Sequence, residues 1–450
     1  SNKQIKYSLM TYLNYFNNSN QVIRNPRYSL VRLVLISLFL CINHVAPSSA
    51  QQLFIPMDES QENHLKAYGL IFNHLTVGGK ATWLLNYRGG SFMTEENAEL
   101  IREARLKNIS IEIISSSQAA RIMQELESPG SNTSIVNLEK APRIAVYTPN
   151  QTLPWDDAVT LALSYAEIKY DKIWDIEVLQ GTLQNYDWLH LHHEDFTGQY
   201  GKFWASYRNN PWYITQVKQM EVMAAELGFN KVSEQKLAVA KTIKEYVGKG
   251  GFLFAMCSGT DTFDVALAAE GIDIAPTPFD GDPVDPNAQE SLDYSATLAF
   301  ENFTISLNPS EYEHADIDVP VAIDEIDQSL DFFTLFDFSA KWDPVPTMLT
   351  QNHVSSVRGF YGQTTAFRTA KIKSSVVILG ESPGREQAKY IHGNFGQGTY
   401  TFYAGHDPED YTHRVNDPPT DLALYPNSPG YRLILNNILF PAAKKKKQKT

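Results

Sequence analysis

Cysteine is nearly absent from this chain of 450 residues, which contains only Cys41 and Cys257. Cys41 lies in an apolar run, residues 33–46, that arginines precede and a small-residue pattern ending at Ala50 follows. These flanks predict a signal peptide at residues 1–50 that is cleaved after Ala50, and therefore export to the periplasm or beyond. Cleavage leaves a single thiol, so no internal disulfide can form and packing must stabilise the exported protein.

Basic charge is also scarce, with 38 Lys and Arg residues against 51 Asp and Glu residues and a net charge of −13. This balance excludes a nucleic acid as the main partner, because a phosphate backbone requires a basic face. A long apolar run is missing too. Residues 33–46 fall short of the roughly 20 residues of a spanning helix, so we expect no integral membrane protein after cleavage. An uncleaved segment that anchors the chain is the alternative.

Hydrophobic residues make up 43% of the chain, and its length predicts two domains. Residues 51–140 mix helical and extended patterns, which predicts a small N-terminal α/β domain. In residues 141–440, short β-branched runs alternate with helical patterns. This alternation predicts a flavodoxin-like doubly wound parallel sheet with helices on both faces. Residues 441–450 predict a basic tail.

An acidic segment interrupts the second domain. Seventeen acidic residues and one basic residue, Lys341, lie between Asp273 and Asp343. Prolines and aromatic residues break the strand and helix patterns here, so we interpret residues from about 273 to 350 as an insertion outside the core layers. Within it, Asp280 and Asp282 place oxygen ligands at alternating positions, as calcium loops do, but no complete EF-hand pattern follows. A solvated acidic loop is the alternative.

Cys257 stands at the end of an apolar run and before a helical pattern. The segment Ala-Met-Cys-Ser-Gly, residues 255–259, has the small-x-nucleophile-x-small form of a nucleophile elbow. At a helix N-terminus the thiolate is favoured, and the N–H groups after it form an oxyanion site. The alternative is a buried cysteine that acts as a small hydrophobic residue.

A base for this thiol is predicted after the last strand. His406 follows the extended run at residues 398–404, and the carboxyl ends of parallel strands face one crevice. His406 can therefore meet Cys257, with Asp407 or Glu409 orienting the imidazole. An ordinary turn is the alternative, because Asp and Pro are common turn residues.

A histidine-rich run ends another strand at the same edge. His190 and His192 are two residues apart on a strand and point to one face, a geometry that suits a metal, and His193 and Glu194 can add ligands. Substrate contact and structural packing are the other interpretations. The candidate substrate-binding residues are His190, His192, His193, Glu194, Ser258 and Gly259. No cofactor is expected; zinc or calcium is an alternative, with His190, His192, Asp280 and Asp282 as candidate ligands.

From about residue 143 to its end, the chain resembles the class I glutamine amidotransferase-like superfamily, with Cys257 in the elbow. The segment GQGTYTFYAGHD, residues 396–407, looks most like the ThuA-like branch, which is linked to carbohydrate metabolism and often lacks a fixed catalytic triad. A glutaminase of this superfamily carries His-x-Glu, whereas His406 and Glu409 are one residue farther apart. The whole mature chain, including WLLNYRGGSF at residues 83–92, is similar to secreted bacterial proteins often labelled asparagine synthetase B.

The resulting functional expectation is an exported hydrolase or transferase in which Cys257 attacks an amide or a glycan-derived acyl group and His406 moves the proton. One alternative is a non-catalytic carbohydrate- or envelope-binding protein, with Trp204 and Trp212 as stacking surfaces. Another is a metal-dependent hydrolase built on His190, His192 and His406. Asparagine synthetase-like activity is disfavoured, because ATP is not expected outside the cytoplasm. The expected partner is a small-molecule or glycan substrate.

Overall fold

A ten-stranded mixed sheet forms the centre of the computed structural model, and a five-stranded sheet precedes it in the chain. The structure describes residues 51–149, 157–319, 331–343, 345–359, 362–410 and 417–443. The predicted signal peptide and residues 444–450 of the predicted tail lie outside the described residues. The described residues from Gln51 onward pack as one compact unit. Within the described ranges, no helix is both long and apolar enough to cross a membrane.

The first sheet is antiparallel and has the order β4-β1-β3-β2-β5. Its strands are β1 Gln52–Ile55, β2 Ala81–Leu85, β3 Ser91–Glu95, β4 Glu112–Ile114 and β5 Ser134–Leu138. Its helices are α1 His64–Thr76, α2 Ala98–Leu106 and α3 Ser116–Glu127. Local capping starts all three helices: the Asn63 side chain accepts the Lys66 N–H before α1, the Asn97 side chain accepts the Glu99 N–H before α2, and Ser115 forms a capping box with Gln118 before α3.

Five strands of the large sheet are parallel and lie in the order β7-β6-β8-β9-β15. They are β6 Ile144–Tyr147, β7 Asp171–Ile173, β8 Trp188–Leu191, β9 Phe252–Met256 and β15 Gly398–Tyr403. The helices of this region are α4 Ala158–Tyr165, α5 Asp175–Leu179, α6 Trp204–Tyr207, α7 Pro211–Glu226, α8 Val232–Gly248, α9 Ser258–Ala268, α10 Thr277–Asp280 and α11 Pro429–Leu439.

Helices cover both faces of the parallel strands. Along β9, Phe252, Phe254 and Met256 pack into one core cluster that includes residues of α1, α4 and α11. The alternate residues, Leu253 and Ala255, pack into a second cluster with residues of α8 and α9. Because successive side chains of a strand point to opposite faces, both faces of β9 are buried, as in α/β proteins. The fold class is therefore α/β.

Antiparallel strands extend the large sheet beyond β15, in the order β11-β10-β13-β14-β15, with β12 paired to β14. They are β10 Phe332–Leu335, β11 Ser356–Arg358, β12 Phe367–Arg368, β13 Val377–Ser382 and β14 Gln387–Phe395. The acidic segment supplies β10 and also core residues such as Phe300 and Phe303. The interpretation of residues 273–350 as lying outside the core layers is therefore wrong, because aromatic residues spaced between the acidic ones are buried.

Candidate metal centre

The carboxyl ends of four neighbouring parallel strands, β6, β8, β9 and β15, meet at one edge of the large sheet. The residues that follow these strands and form the candidate site are Asp157, His192, His193, Cys257 and His406. The connections leave β6 and β8 in opposite directions across the sheet. Open α/β sheets bind their ligands at such a switch point, outside the carboxyl ends of the strands.

Three imidazoles cluster at this edge. The potential ligand atoms of His192, His193 and His406 all lie within 4.8 Å of one another. The ring centroid of His192 is 3.9 Å from that of His193 and 4.5 Å from that of His406. Three imidazole nitrogens around one point form the ligand set of an open catalytic zinc site.

The environment of His192 keeps its imidazole neutral. The residue is only 2% exposed. Burial, together with repulsion from positive charge on His193, lowers the pKa of His192 well below its usual value, although the Asp157 charge opposes this shift. A neutral imidazole retains a nitrogen lone pair, which is the form that binds a metal.

The Asp157 carboxylate connects two of the histidines. Its Oδ1 atom lies 3.2 Å from His190 Nε2 and 3.4 Å from His192 Nδ1. Burial alone would raise the pKa of Asp157, but the two imidazoles outweigh burial and hold this pKa below its usual range. Oδ1 also accepts the Val159 N–H at 2.8 Å, because Asp157 is the N-cap of α4. The start of the helix therefore positions the carboxylate.

The surroundings of the ring nitrogens differ between His192 and His190. His192 Nδ1 lies 3.4 Å from the Asp157 carboxylate but makes no hydrogen bond among the described residues. His192 Nε2 is buried and has no hydrogen-bond partner among the described residues, a costly state unless the nitrogen binds a ligand. His190 instead faces acceptors on both sides, Asp157 and the Phe254 carbonyl at 3.2 Å from Nδ1. Both nitrogens of His190 are therefore engaged by protein oxygens, and neither is open to a metal.

The backbone at Cys257 has the shape of a nucleophile elbow. Cys257 has φ of 50° and ψ of −140° between β9 and α9, a strained conformation for a residue with a side chain. Gly259 donates its N–H to the His192 carbonyl at 2.9 Å. A Cβ atom at Gly259 would lie 2.5 Å from the same oxygen, so the close approach requires glycine. The small residue predicted at this position is explained by contact with the histidine strand.

The thiol itself is not in the state of an activated nucleophile. Cys257 is 1% exposed, and its Sγ atom donates to the Gln363 carbonyl at 3.6 Å. Burial, and then the nearby carboxyl groups of Asp261 and Asp318, raise the pKa of Cys257. The positive end of α9 does not overcome these effects, so the thiol stays protonated at neutral pH.

Gln363 and Thr364, which follow the acidic segment, cover the elbow. The Gln363 amide donates to the carbonyls of Gly201 and Tyr312, which joins three parts of the chain above Cys257. Thr364 donates its hydroxyl to Asp261 at 2.8 Å. These contacts explain why the thiol is buried although it occupies a strand-to-helix turn.

Glu194 lies beside the histidine cluster and is buried. Its Oε2 atom accepts the backbone N–H of His192 at 2.9 Å. Burial raises the pKa of Glu194 to about 7, although the charge of His190 opposes this shift. A carboxyl group in this range exists in both protonation states near neutral pH, as proton-transfer groups do.

The carboxylates predicted to orient His406 have other partners. Asp407 accepts the Tyr431 hydroxyl at 2.8 Å and the Glu409 N–H at 2.8 Å, which fixes the turn after β15. Burial raises the pKa of Glu409, an effect that a hydrogen bond from Ser428 opposes. The orienting role of either residue remains a prediction.

The acidic calcium candidates surround a lysine. Lys231 Nζ donates to Asp280 at 3.0 Å and to Asp282 at 2.7 Å, and it also contacts Asp273. The ammonium group supplies the charge that would otherwise be needed to hold these carboxylates together. This cluster shares no residue with the histidine clusters.

The tryptophans predicted as stacking surfaces have protein partners. The Trp212 ring lies 5.9 Å from that of Phe203 and 5.2 Å from that of Tyr207. The Arg208 guanidinium lies 4.9 Å from the centre of the Trp204 ring. Both rings therefore contribute to a local aromatic cluster.

A small cavity of about 30 Å³ lies beside the histidine cluster. His193 and Glu194 form part of its wall. Its aromatic lining residues are Trp174, Tyr200 and Phe203. A cleft of about 1080 Å³ lies at the amino ends of β9 and β15, the opposite edge of the sheet. Since His193 of the cluster lines the small cavity and no histidine of the cluster lines the larger cleft, we place the chemistry at the carboxyl edge of the sheet.

Asp157 is the site residue that sequence reasoning missed. One signal in the sequence was available. Asp157 stands directly before a helical pattern, which is the usual position of an N-cap, and it follows the first strand of the parallel sheet. His193 was predicted only as an additional ligand, yet it offers a ligand atom within 4.8 Å of those of His192 and His406. After β8 the chain takes a direction that brings His193 towards His406. Strand periodicity does not predict this direction.

Comparisons with known proteins give little further information. No protein-family model and no curated protein match the chain. A cytoplasmic protein of Salmonella typhimurium has 9% identity and a TM-score of 0.34, with 67% of this chain and 100% of that chain covered. Another, from strain LT2, has 12% identity and a TM-score of 0.32, with 67% and 99% covered. The GH42 β-galactosidase Gan42B has 8% identity and a TM-score of 0.25, with 60% and 28% covered. Similarities at these TM-scores carry no argument about fold or function.

Proposed function

We propose that the chain is a metal-dependent hydrolase in which His192, His193 and His406 hold a divalent metal of the zinc class. The observation that carries this proposal is the grouping of three imidazole nitrogens within 4.8 Å, including the buried, neutral His192. Imidazole suits zinc and its neighbours in the transition series better than it suits calcium. A set of three protein ligands is typical of catalytic zinc sites, whereas structural sites have four, so a metal held here would be accessible to water.

The reaction follows from this ligand set. A bound zinc ion lowers the pKa of coordinated water to about 7 and so supplies hydroxide at neutral pH. In the proposed hydrolysis, water adds its oxygen to the carbonyl carbon of an amide or ester. The bond from this carbon to the leaving nitrogen or oxygen breaks, and the leaving group takes up the proton. The products are a carboxylic acid and an amine or alcohol. Asp157, whose Oδ1 atom lies 3.4 Å from His192 Nδ1, is the carboxylate that would orient this ring in a carboxylate–histidine–metal arrangement.

The parallel strands support the same assignment. Across the sheet these strands lie in the order β7-β6-β8-β9-β15. If they are numbered by their order in the chain, this is 2-1-3-4-5, which is the flavodoxin-like order. We infer that the antiparallel strands extend this unit and that the switch point between β6 and β8 is the site. Export and an amide or glycan-derived acyl substrate remain proposals that accompany this function.

The metal content of the purified full chain tests the proposal. We expect about one zinc per chain by elemental analysis and hydrolysis of p-nitrophenyl acetate. Treatment with dipicolinate should remove the metal and lower the hydrolysis rate at least about 100-fold, since activation of water by the metal is lost. Zinc should restore the rate and calcium should not. A folded chain that fails to take up stoichiometric zinc would show that the proposal is wrong.

The strained backbone at Cys257 favours a second candidate, a cysteine-dependent hydrolase, because such strain persists mainly where function requires it. The raised pKa of Cys257 argues against it and gives a test. We expect iodoacetamide to alkylate the native chain at neutral pH at least about 100-fold more slowly than the unfolded chain, because only thiolate reacts. The rate should rise only at alkaline pH.

The corresponding variant separates the two mechanisms. Cys257→Ser should retain hydrolysis within about threefold, since the thiol touches none of the proposed metal ligands in its described hydrogen bond. Rapid alkylation of the native chain at neutral pH, together with loss of hydrolysis in Cys257→Ser, would support the cysteine mechanism instead.

A further inference from the structure

A short segment directly before β12 packs against the turn that carries His406. This segment, residues 362–366, is called the strap below. A Cβ atom built on Gly362 would lie 2.5 Å from the His406 Cβ atom and 3.1 Å from the His406 backbone nitrogen. The Thr364 carbonyl accepts the N–H of Gly405, the residue before His406, at 2.8 Å. The strap therefore contacts the backbone from which the His406 imidazole projects.

The backbone of Thr364 adopts a conformation that is rare for threonine. Its φ of 63° lies in the left-handed region, where a β-branched side chain is crowded. Such strain persists only where the surrounding structure over-determines the conformation, and it is found mainly at functional sites. Contacts from other parts of the chain must therefore hold Thr364 in place.

Two buried carboxyl groups provide these contacts. Asp261, in the first turn of α9, accepts the Thr364 hydroxyl at 2.8 Å. Asp318, from the acidic segment, accepts the Thr364 N–H at 3.2 Å and the Ala366 N–H at 3.3 Å. Asp261 and Asp318 are 1% and 5% exposed, so water competes little for these hydrogen bonds. Both the side chain and the backbone of Thr364 are thus fixed by residues that are distant in sequence.

The neighbours of Thr364 in the strap are anchored as well. The Lys389 Nζ atom on β14 donates to the Thr365 carbonyl at 2.7 Å. The Thr365 hydroxyl donates to the Gly362 carbonyl at 2.8 Å, which closes a turn within the strap. Thr364 and Thr365 are 1% and 5% exposed. The strap is therefore a buried, hydrogen-bonded support and not a solvated loop.

We propose, on the basis of the metal-dependent hydrolase function, that Thr364 is a positioning residue for the metal ligand His406. The two carboxyl groups fix Thr364, and the Thr364 carbonyl fixes the turn at Gly405. Gly362 then limits where the His406 Cβ atom can lie. Zinc–nitrogen bonds are about 2.0–2.1 Å long, so a small displacement of this backbone weakens metal binding. Residues that orient a metal ligand typically contribute about 10- to 100-fold in affinity.

Removal of the Thr364 hydroxyl tests the link from Asp261 to the site. Thr364→Val keeps the branched shape of the side chain and loses only the donor to Asp261. In zinc competition titrations of the full chain, we expect it to bind zinc at least about 10-fold more weakly than the wild type. The visible spectrum of the cobalt-substituted chain should shift, because the coordination geometry changes. Thr364→Ser retains the hydroxyl and should stay within about threefold of the wild type.

Gly362→Ala tests the contact with His406 directly. Its methyl group would lie 2.5 Å from the His406 Cβ atom, so the ligand or the strap must move. We expect zinc affinity to fall at least about 10-fold here too, with a shifted cobalt spectrum. Gly130→Ala is the matched control and should leave both unchanged, since a Cβ atom at Gly130 would have nothing within 4 Å.

A variant on α9 separates positioning from a general loss of stability. Asp264 lies on the same helix as Asp261 and is also buried, but its described hydrogen bonds go to the backbone of residues 298–300 and not to the strap. Asp264→Asn should therefore lower the free energy of unfolding while the folded chain binds zinc within about threefold of the wild type.

The outcomes separate the two proposals. Unchanged zinc affinity and cobalt spectra in both Thr364→Val and Gly362→Ala would overturn the positioning role and leave the metal-dependent hydrolase intact. An equal loss of zinc affinity in Asp264→Asn would also overturn it, because the effect would then reflect stability alone. A wild-type chain that takes up no zinc would overturn both proposals.

Discussion

Replacing His192 by alanine is expected to lower the affinity of the chain for zinc about 1000-fold. A protein zinc site contributes up to about 16 kcal/mol, so one of four ligands accounts for about 4 kcal/mol, or roughly 1000-fold. His192 supplies the buried Nε2 atom that has no partner among the described residues. Zinc competition titrations, and the visible spectrum of the cobalt-substituted chain, measure the loss and the change in coordination geometry.

Asp157→Asn should produce a smaller loss at the same site. Its Oδ1 atom lies 3.4 Å from His192 Nδ1, and Asp157 is not one of the three proposed ligands. Residues that contact a ligand in this way typically contribute about 10- to 100-fold in affinity. Asp157→Glu, which keeps the carboxylate, should recover part of the loss. His74→Ala is the matched control, since His74 contacts Thr94 in the N-terminal region and no site residue. Wild-type zinc affinity in His192→Ala would contradict the assigned ligand set.

Asp264→Ala is expected to destabilise the fold by about 3–5 kcal/mol. The fully buried Asp264 carboxylate accepts three consecutive backbone N–H groups, those of Leu298, Ala299 and Phe300, at 2.7, 2.7 and 2.9 Å. Alanine would leave all three donors buried without a partner, at a cost of about 1–3 kcal/mol each before relaxation. The midpoint of urea unfolding measures the loss.

Two further variants show whether this effect is specific. Asp264→Asn retains one acceptor oxygen, so it should lose about half as much stability as the alanine variant. Asp293→Ala removes an exposed carboxylate that caps a short helical turn through the Ser295 N–H at 2.9 Å, so it should cost less than about 1 kcal/mol. Similar losses in Asp264→Ala and Asp293→Ala would show that Asp264 does not anchor the acidic segment to α9.

Local patterns predicted the elements that carry the site. The apolar run before Cys257 and the helical pattern after it correspond to β9 and α9. The extended run before His406 corresponds to β15, and the run that includes His190 corresponds to β8. These predictions succeed because long apolar runs and helical periodicity depend on residues that are neighbours in sequence.

Long-range contacts explain where local patterns failed. Residues 175–179, with their isoleucine and valine, predict a strand but form α5. Glu177 accepts the Trp174 N–H at the start of this helix, and the Asp175 carboxylate pairs with Lys236 from α8. A buried ion pair between residues far apart in sequence thus outweighs β propensity, which is itself strongly dependent on context.

The sequence by itself determines that this chain forms an α/β sheet and that histidines and a cysteine stand after its strands, because strand ends are set by local pattern and parallel ends share one edge. Only the tertiary structure decides which of these groups is chemically available. It buries and protonates the Cys257 thiol, saturates His190 with acceptors, and gathers His192, His193 and His406. Protonation state and metal binding depend on desolvation and on distances of a few ångströms, which local sequence patterns do not contain.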